Sequence, residues 1–475
     1  MSTTSPGSTS PSDPTPTSPP VPERQAWLAL TALCAGLFIT LMDQALVAVA
    51  LPSIREDLGA SINQTVWVVA VYLLAFAAPI LVAGRLGDRF GQRNVYLVGM
   101  AVFTASATAA AFAPTIELLI AARAVQGLGA SLLNPQPLSI IHRVFAFNRR
   151  GAAMGMWAAV ASSAGLFGPI LGGLIVGTAG WRWVFALYIP FGLLAFALVA
   201  LLVPRLPTGA SRIDLVSAVV AVVAVAAVTL TLQQGPDLGW PVWLWAVFAA
   251  GLGASALFVW LQLRARRMGR EALVPPELFS NRNFARGSFS VFTLGFAVYS
   301  MNIPIMLYLQ TAQGLSAEVA GLMMIPTAVV SLVAAPYVGR LTDRTAPGVV
   351  STTGFTSMIV AMTLFAAMMI WELPVPWLLI PLVLMGAANA MCWSANSAVS
   401  MRGLPSDLVG AGSGVYNTSR QVGAVVGAAA LGAVMQIGIA TTAFPTAMGL
   451  TLVLPAVLLV AGAAAVRGFQ PDAPE

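Results

Sequence analysis

Gly84-Arg85-Leu86-Gly87-Asp88-Arg89-Phe90-Gly91-Gln92-Arg93 is the stretch whose reading decides the fold of this chain. It packs three glycines, three arginines and one aspartate between two apolar runs, each long enough to cross a bilayer. A charged, glycine-rich connection in that setting reads as a tight hinge between membrane helices. A reduced copy, Gly339-Arg340-Leu341-Thr342-Asp343-Arg344, follows another long apolar run, and five of its six residues match Gly84 to Arg89. The chain therefore reads as internally duplicated.

Composition agrees with a membrane protein. Of 475 residues, 58% are hydrophobic and 8% charged, and a soluble domain could not hide so much apolar surface. The formal charge of +6 comes entirely from arginine, because lysine is absent. Without lysine there is no phosphate-binding loop of the Gly-rich Lys type, and with His142 the sole histidine an ATP-driven pump and a histidine-based hydrolase are both disfavoured. Cys34 and Cys392 sit in apolar runs and read as small buried hydrophobes, with no disulfide framework, metal site or cofactor implied.

Residues 1–25 are rich in Ser, Thr and Pro up to position 22 and read as a disordered tail. From there, 14 apolar runs are expected as spans, at about 26–51, 64–84, 95–113, 115–140, 152–177, 182–204, 213–233, 241–262, 286–309, 317–338, 348–371, 375–398, 408–435 and 443–466. Basic residues in short loops stay cytoplasmic. With the N-terminus inside, the loop arginines fall almost all on the cytoplasmic side, leaving Arg55 and Arg182 outside and Arg123 and Arg420 within spans. Both termini are therefore expected in the cytoplasm, and the charge is explained without nucleic acid. The two hinge copies follow spans 2 and 10, so two extra helices are expected between two six-helix halves. The expected order is a first half at 26–204, an inserted hairpin at 213–262, a cytoplasmic linker at 263–285, a second half at 286–466 and a tail at 467–475.

Further motifs fall on these spans in order. They are Leu41-Met42-Asp43-Gln44-Ala45-Leu46-Val47-Ala48-Val49-Ala50-Leu51-Pro52 on the first, Arg123-Ala124-Val125-Gln126-Gly127-Leu128-Gly129 on the fourth and Gly168-Pro169-Ile170-Leu171-Gly172-Gly173 on the fifth. With the hinge, they resemble the major facilitator superfamily, in particular its 14-span drug:proton antiporter branch. Gly410 to Gly427, with Asn417, Arg420 and Gln421, resembles that family's penultimate span, whereas the second hinge lacks the trailing glycine and basic residues. The resemblance implies an all-α polytopic fold of two six-helix halves plus two inserted helices. It also implies proton-coupled export of a small amphipathic or cationic compound, with Gly168, Pro169, Gly172 and Gly173 as the antiporter motif.

The residues support a physical reading of their own. Asp43 is the only carboxylate well inside a span, where it costs about 2.5–3.5 kcal/mol on insertion scales and demands a partner, water or a proton. Desolvation favours its neutral form and an arginine its charged form, so a change in pairing would load or release a proton. Arg123 cannot release its own proton and would act electrostatically. Counted along the helices at 1.5 Å per residue, Asp43 and Arg123 each lie about 12 Å below the same surface. In the hinge, Gly84, Gly87 and Gly91 are expected to let the backbone turn. Asp88 would pair with a neighbouring arginine or cap a helix N-terminus, making a conformational latch with Arg89, Arg93, Asp343 and Arg344. Polar and aromatic span residues Tyr72, Asn134, Trp157, Tyr299, Asn302, Asn389, Trp393, Asn396, Asn417 and Arg420 are candidate lining of a substrate cavity. Glu318, at the outer end of span 10, is expected to face lipid headgroups or to be a second acidic site.

The expected function is therefore secondary active transport in the inner or plasma membrane by alternating access. A nutrient symporter or facilitator is the alternative within transport, and a non-transporting receptor the alternative outside it. The expected partners are a small-molecule substrate, protons and lipid, with the protein acting as a monomer.

Overall fold

A computed structural model describes residues 21–77, 79–145, 147–208, 214–270, 272–345, 348–405 and 408–470, and apart from short 3-10 and π turns its elements are all α-helical. In hydrocarbon every backbone polar group must be satisfied within the segment, which selects helices for these apolar runs. The first group comprises α1 (Glu23–Leu58), α2 (Ile62–Ala77), α3 (Ile80–Phe90), α4 (Gln92–Ala111), α5 (Ile116–Leu133), α6 (Gln136–Val144), α7 (Phe147–Ala179), α8 (Arg182–Ala186) and α9 (Tyr188–Leu202). A hairpin follows, α10 (Leu215–Leu238) and α11 (Val242–Arg267). The last group comprises α12 (Arg282–Ser300), α13 (Asn302–Leu307), α14 (Ala317–Leu322), α15 (Ile325–Arg344), α16 (Val349–Ile370), α17 (Leu379–Met401), α18 (Val409–Thr441) and α19 (Phe444–Arg467).

Among the described residues, 12 helices are long and apolar enough to cross a membrane, or 13 if a bent pair counts as one span. Fourteen were expected. The second expected span is that bent pair, in which Ile62–Ala77 and Val82–Phe90 meet at 50°, beside Pro79, whose missing N–H cannot continue the helical ladder. The fifth lies within α7, whose shorter apolar piece is Ser163–Ala179. Two other expected spans are also interrupted: α12 gives way at Met301 to α13 and a π turn, and α14 stops two residues before α15.

Boundaries shift at both joints. Helix α1 begins at Glu23, inside the expected tail, and Glu23 pairs with Arg149 at 3.3 Å. Within the expected linker, α11 continues to Arg267, a 3-10 turn covers Pro276–Ser280, and Asn281 caps α12 by accepting from Phe284 N at 3.0 Å.

Several contacts place the arginine-rich connections at one end of the bundle. Asp88 meets Arg143 at 3.7 Å, Arg85 donates to Ala272 O at 3.3 Å, and Asn283 donates to Gln470 O at 3.0 Å. Near the N-terminus, Glu23 joins the same end through Arg149. The named contacts between the two groups lie toward the opposite end. A Cβ on Gly173 would fall 2.6 Å from Ala317 O, one on Gly321 2.4 Å from Pro169 O, and one on Gly432 3.0 Å from Val66. Gln310 donates to Val49 O at 3.1 Å. At the arginine-rich end, a Cβ on Gly339 would meet nothing within 4 Å and Arg340 is exposed. The named contacts between the groups therefore gather toward the end opposite the arginine-rich connections.

The hairpin bridges them. Helix α10 packs on α2 and on α18, while α11 packs mainly on α10 and leaves most of its surface outward. Asn63 of α2 donates to Gln234 Oε1 at 2.6 Å and to Asp237, and accepts from Gln233 Nε2 at 2.7 Å.

Glycine decides how closely the last group packs. A Cβ on Gly427 would lie 2.4 Å from Phe296 O, so backbone and not a flexible side chain would have to yield; Gly414 on the same helix faces open space. Gly427→Val is expected to destabilise the fold by about 1–3 kcal/mol and Gly414→Ala to leave it unchanged or slightly stabilised. Thermal unfolding of the two variants in detergent checks this, and equal midpoints would refute the packing argument.

Candidate functional site: a buried ion pair and its surroundings

Asp43 and Arg123 meet. Nη1 of Arg123 lies 2.9 Å from Oδ1 and 2.8 Å from Oδ2 of Asp43, with both side chains fully buried. Arg123 Nε donates to Val68 O at 3.1 Å, and Nη1 also donates to Gln126 Oε1 at 2.8 Å. Gln126 Nε2 turns to Asp43 Oδ1 at 3.4 Å. The guanidinium stands 4.1 Å from the centre of the Tyr72 ring and 5.7 Å from that of Phe185. Tyr188, also fully buried, holds its hydroxyl close to the carboxylate. Arg123 Nη2 has no partner. Helices α1, α2, α5 and α9 therefore each contribute to one sealed polar centre.

The local sequence explains the arrangement. Gln126 follows Arg123 by three residues and so shares its helix face, and α5 approaches α2 because Gly127 has no Cβ to strike Tyr72 O, 2.4 Å away. Gln126 and Tyr188 were not singled out from the sequence. The helical spacing marks Gln126, whereas nothing local marks Tyr188, which arrives from a distant helix. Tyr72 was expected to line a cavity; instead it is fully buried against Arg123, its hydroxyl 3.4 Å from Thr40 O.

The hinge is built differently from its sequence reading. Gly84 and Gly87 lie within α3, and only Gly91, at φ +90°, makes the turn into α4. Gly87 serves contact: a Cβ there would overlap Gln136 Oε1, whose amide donates to Ala83 O at 2.8 Å. Asp88 sits in the last turn of α3, so it does not cap a helix N-terminus. It pairs with Arg143 of α6 and accepts from Gln92 Nε2 at 3.1 Å. Arg93 donates to Ala200 O, and the Arg89 guanidinium lies 5.4 Å from its neighbour's Phe90 ring. The side chains of Asp343 and Arg344 lie outside the described residues.

Of the antiporter motif, Gly168 approaches α1, with Met42 O 3.2 Å from its would-be Cβ. Gly172 does the same with Leu46 O at 3.2 Å, while Gly173 faces α14. Pro169 lies inside α7. Glu318 is half-buried, its side chain packed on α7 where a Cβ on Gly177 would sit 2.5 Å away.

The remaining cavity candidates divide. Asn396 is fully buried in a network, accepting from Ser290 Oγ at 2.8 Å and donating to the Tyr416 hydroxyl at 2.9 Å, so it holds α12, α17 and α18 together rather than lining a space. Asn417 is half-buried and turned back on Ser413 O at 3.0 Å. Tyr299, Trp393 and Arg420 come together from three helices, with Asn389 accepting from Trp393 Nε1 at 3.2 Å. Asn134 follows α5, Trp157 lies on α7 and Asn302 opens α13; all three are half-buried and none joins this cluster.

A polytopic helical bundle with a sealed ion pair between helices is the architecture of a membrane transporter. The family model of the Major Facilitator Superfamily matches residues 33–428, and the chain belongs to that superfamily. It is 41% identical over 417 residues to an uncharacterized MFS-type transporter of Mycobacterium tuberculosis, covering 88% of this chain and 72% of the relative. It is 33% identical over 431 residues to the multidrug resistance protein Stp of the same species, covering 89% of this chain and 78% of that one. Among solved structures it matches the crystal structure of a D-xylose-proton symporter with a TM-score of 0.65 at 15% identity, covering 94% of this chain and 98% of the symporter. At that identity the last comparison speaks for the fold alone.

Removing one member of a buried pair strands the other charge. Asp43→Leu and Arg123→Leu alone are each expected to destabilise the protein by about 3–5 kcal/mol, and the double variant to recover most of that loss. A double-mutant cycle on thermal unfolding tests this; additive losses would show that the two side chains do not act as a pair.

Proposed function

We propose that this protein is a proton-driven exporter of small amphipathic compounds of drug or antibiotic type, of the 14-span drug:proton antiporter branch, working by alternating access in the plasma membrane. The observation that carries the reading is the Asp43–Arg123 pair: a titratable carboxylate, sealed from solvent and paired with an arginine of a neighbouring helix. A carboxylate parted from its arginine in a dry site takes up a proton, and one that rejoins it gives the proton up. Movement of α1 against α5 between two conformers would thus couple proton binding to the state of the bundle. The name of the Mycobacterium relative, a multidrug resistance protein, supports drug-like substrates.

In this reading the arginine-rich end is cytoplasmic, with both termini there, and the structure is an inward-facing conformer. The two helix groups are the rocking halves and α10–α11 an accessory hairpin outside the substrate path. Asp88, paired with Arg143 across α3 and α6, belongs to a latch that sets conformer populations.

Export from inverted membrane vesicles across a compound panel, with and without an uncoupler, tests the reading. Gradient-driven export abolished by Asp43→Asn, with substrate binding retained, is expected. Full proton-coupled export by that variant would place the proton carrier elsewhere, with Glu318 the next carboxylate to test.

For the latch, Asp88→Asn is expected to reach the membrane in normal amount and to lower turnover without weakening binding. Wild-type turnover in a well-expressed variant would refute the latch.

A further inference from the structure

Arg123 and Arg420 each lie well inside an apolar span, and among the described residues only Arg123 has a carboxylate partner. Arg123 has a carboxylate, a backbone carbonyl, an amide oxygen and a ring at 4.1 Å. Arg420 of α18 is half-buried; its Nε is shut from solvent without a hydrogen-bond partner, and among the described residues no carboxylate pairs with it. Its neighbours are aromatic and neutral. The ring centres of Tyr299 on α12 and Trp393 on α17 lie 5.9 Å and 5.8 Å from the guanidinium carbon, and the two rings touch edge to face at 6.3 Å. Trp393 Nε1 is already given to Asn389, and the Tyr416 hydroxyl, one turn along α18, accepts from Asn396.

Ring contacts near the ~6 Å limit are weak, so the rings leave the charge under-compensated. Arg420 stands 11 residues into α18, about 16 Å from its start at 1.5 Å per residue, well inside the span. Side chains that meet across three helices yet keep intermediate exposure line a space instead of filling one.

We infer that Arg420, Tyr299 and Trp393 form a subsite for an organic anion: an aromatic substrate whose carboxylate pairs with the guanidinium while its ring system rests against Tyr299 and Trp393. Nε and one Nη of a guanidinium lie in one plane at the spacing of the two oxygens of a carboxylate, and Nε is the donor without a partner here. This assignment rests on the export reading and narrows it: the preferred substrate is an amphipathic acid and not a cation, which the free positive charge would repel.

The test uses the purified full-length protein in nanodiscs and three matched probes: 2-naphthoic acid, 2-naphthamide and 2-naphthylmethylammonium. Tryptophan-fluorescence quenching or calorimetry at neutral pH should show the acid binding about 10-fold or more tighter than the amide, the amount expected of a charge-assisted hydrogen bond. Arg420→Gln should erase that preference, Arg420→Lys should keep part of it, and Trp393→Leu should weaken acid and amide alike. Wild-type protein that binds the acid no better than the amide overturns the subsite, as does a preference that survives in Arg420→Gln with an unchanged unfolding midpoint. Should Arg420→Gln fail to fold, Arg420→Lys decides: a preference reduced several-fold supports the subsite and an unchanged one overturns it. Gradient-driven uptake of the same probes into inverted vesicles separates this inference from the export reading. Naphthamide carried as well as the acid removes the subsite and leaves export standing; Arg420-dependent binding of the acid with no driven movement of any probe does the reverse.

Discussion

The buried contact between Asp43 and Arg123 constrains the rest of the structure. Either charge alone inside a bilayer-spanning bundle would be strongly unfavourable, so α1 and α5 must be held in one register, with their charged positions at one depth. The neighbouring residues serve that requirement. Gly127 lets α5 approach α2, the Tyr72 ring covers the guanidinium, Val68 O accepts from Nε and Gln126 from Nη1, and Gly168 and Gly172 seat α7 against the stretch of α1 that carries Asp43. A glycine motif on one helix and a charged residue on another are thus parts of one packing problem.

The pair also shows how stability and exchange coexist. An ion pair this well surrounded is strong only while its geometry holds, because its attraction depends on exclusion of water. Shifting a helix by an ångström or two changes the balance between pairing and desolvation. The contacts that hold the helix groups together at one end use small residues and backbone, Gly173 on Ala317 and Gly321 on Pro169, with the single named hydrogen bond from Gln310 to Val49 O. The hinge at the other end is held by bonds of a different kind, Asp88 to Arg143 and Arg93 to Ala200 O.

What the sequence showed about this fold came from periodic and local features. Apolar runs marked the helices, arginines marked one end, and counting residues from the span ends put Asp43 and Arg123 at matching depth before any contact was known. Features that depend on distant chain segments could not be read this way. The glycines of the hinge looked like turn residues, yet Gly87 is small because Gln136 occupies the space beside it. Tyr72 and Asn396 looked like cavity residues because polar side chains in spans suggest solvent, whereas their partners, Arg123 and Tyr416, satisfy them internally. The break at Pro79 was hidden within an otherwise continuous apolar run, and hydropathy does not register a missing N–H.

The gathering of arginine-rich connections at one end, in a chain without lysine, has a chemical consequence. Amine-directed acylating and cross-linking reagents find no side chain to modify anywhere in the sequence. An arginine-specific protease, by contrast, meets a dense row of sites at one end of the bundle. At the other end, among the described residues, it meets Arg55, half-buried, and Arg182, tied to Asp57 at 2.5 Å and stacked on Trp181. The two ends of the bundle therefore differ in their reactivity toward arginine-directed reagents.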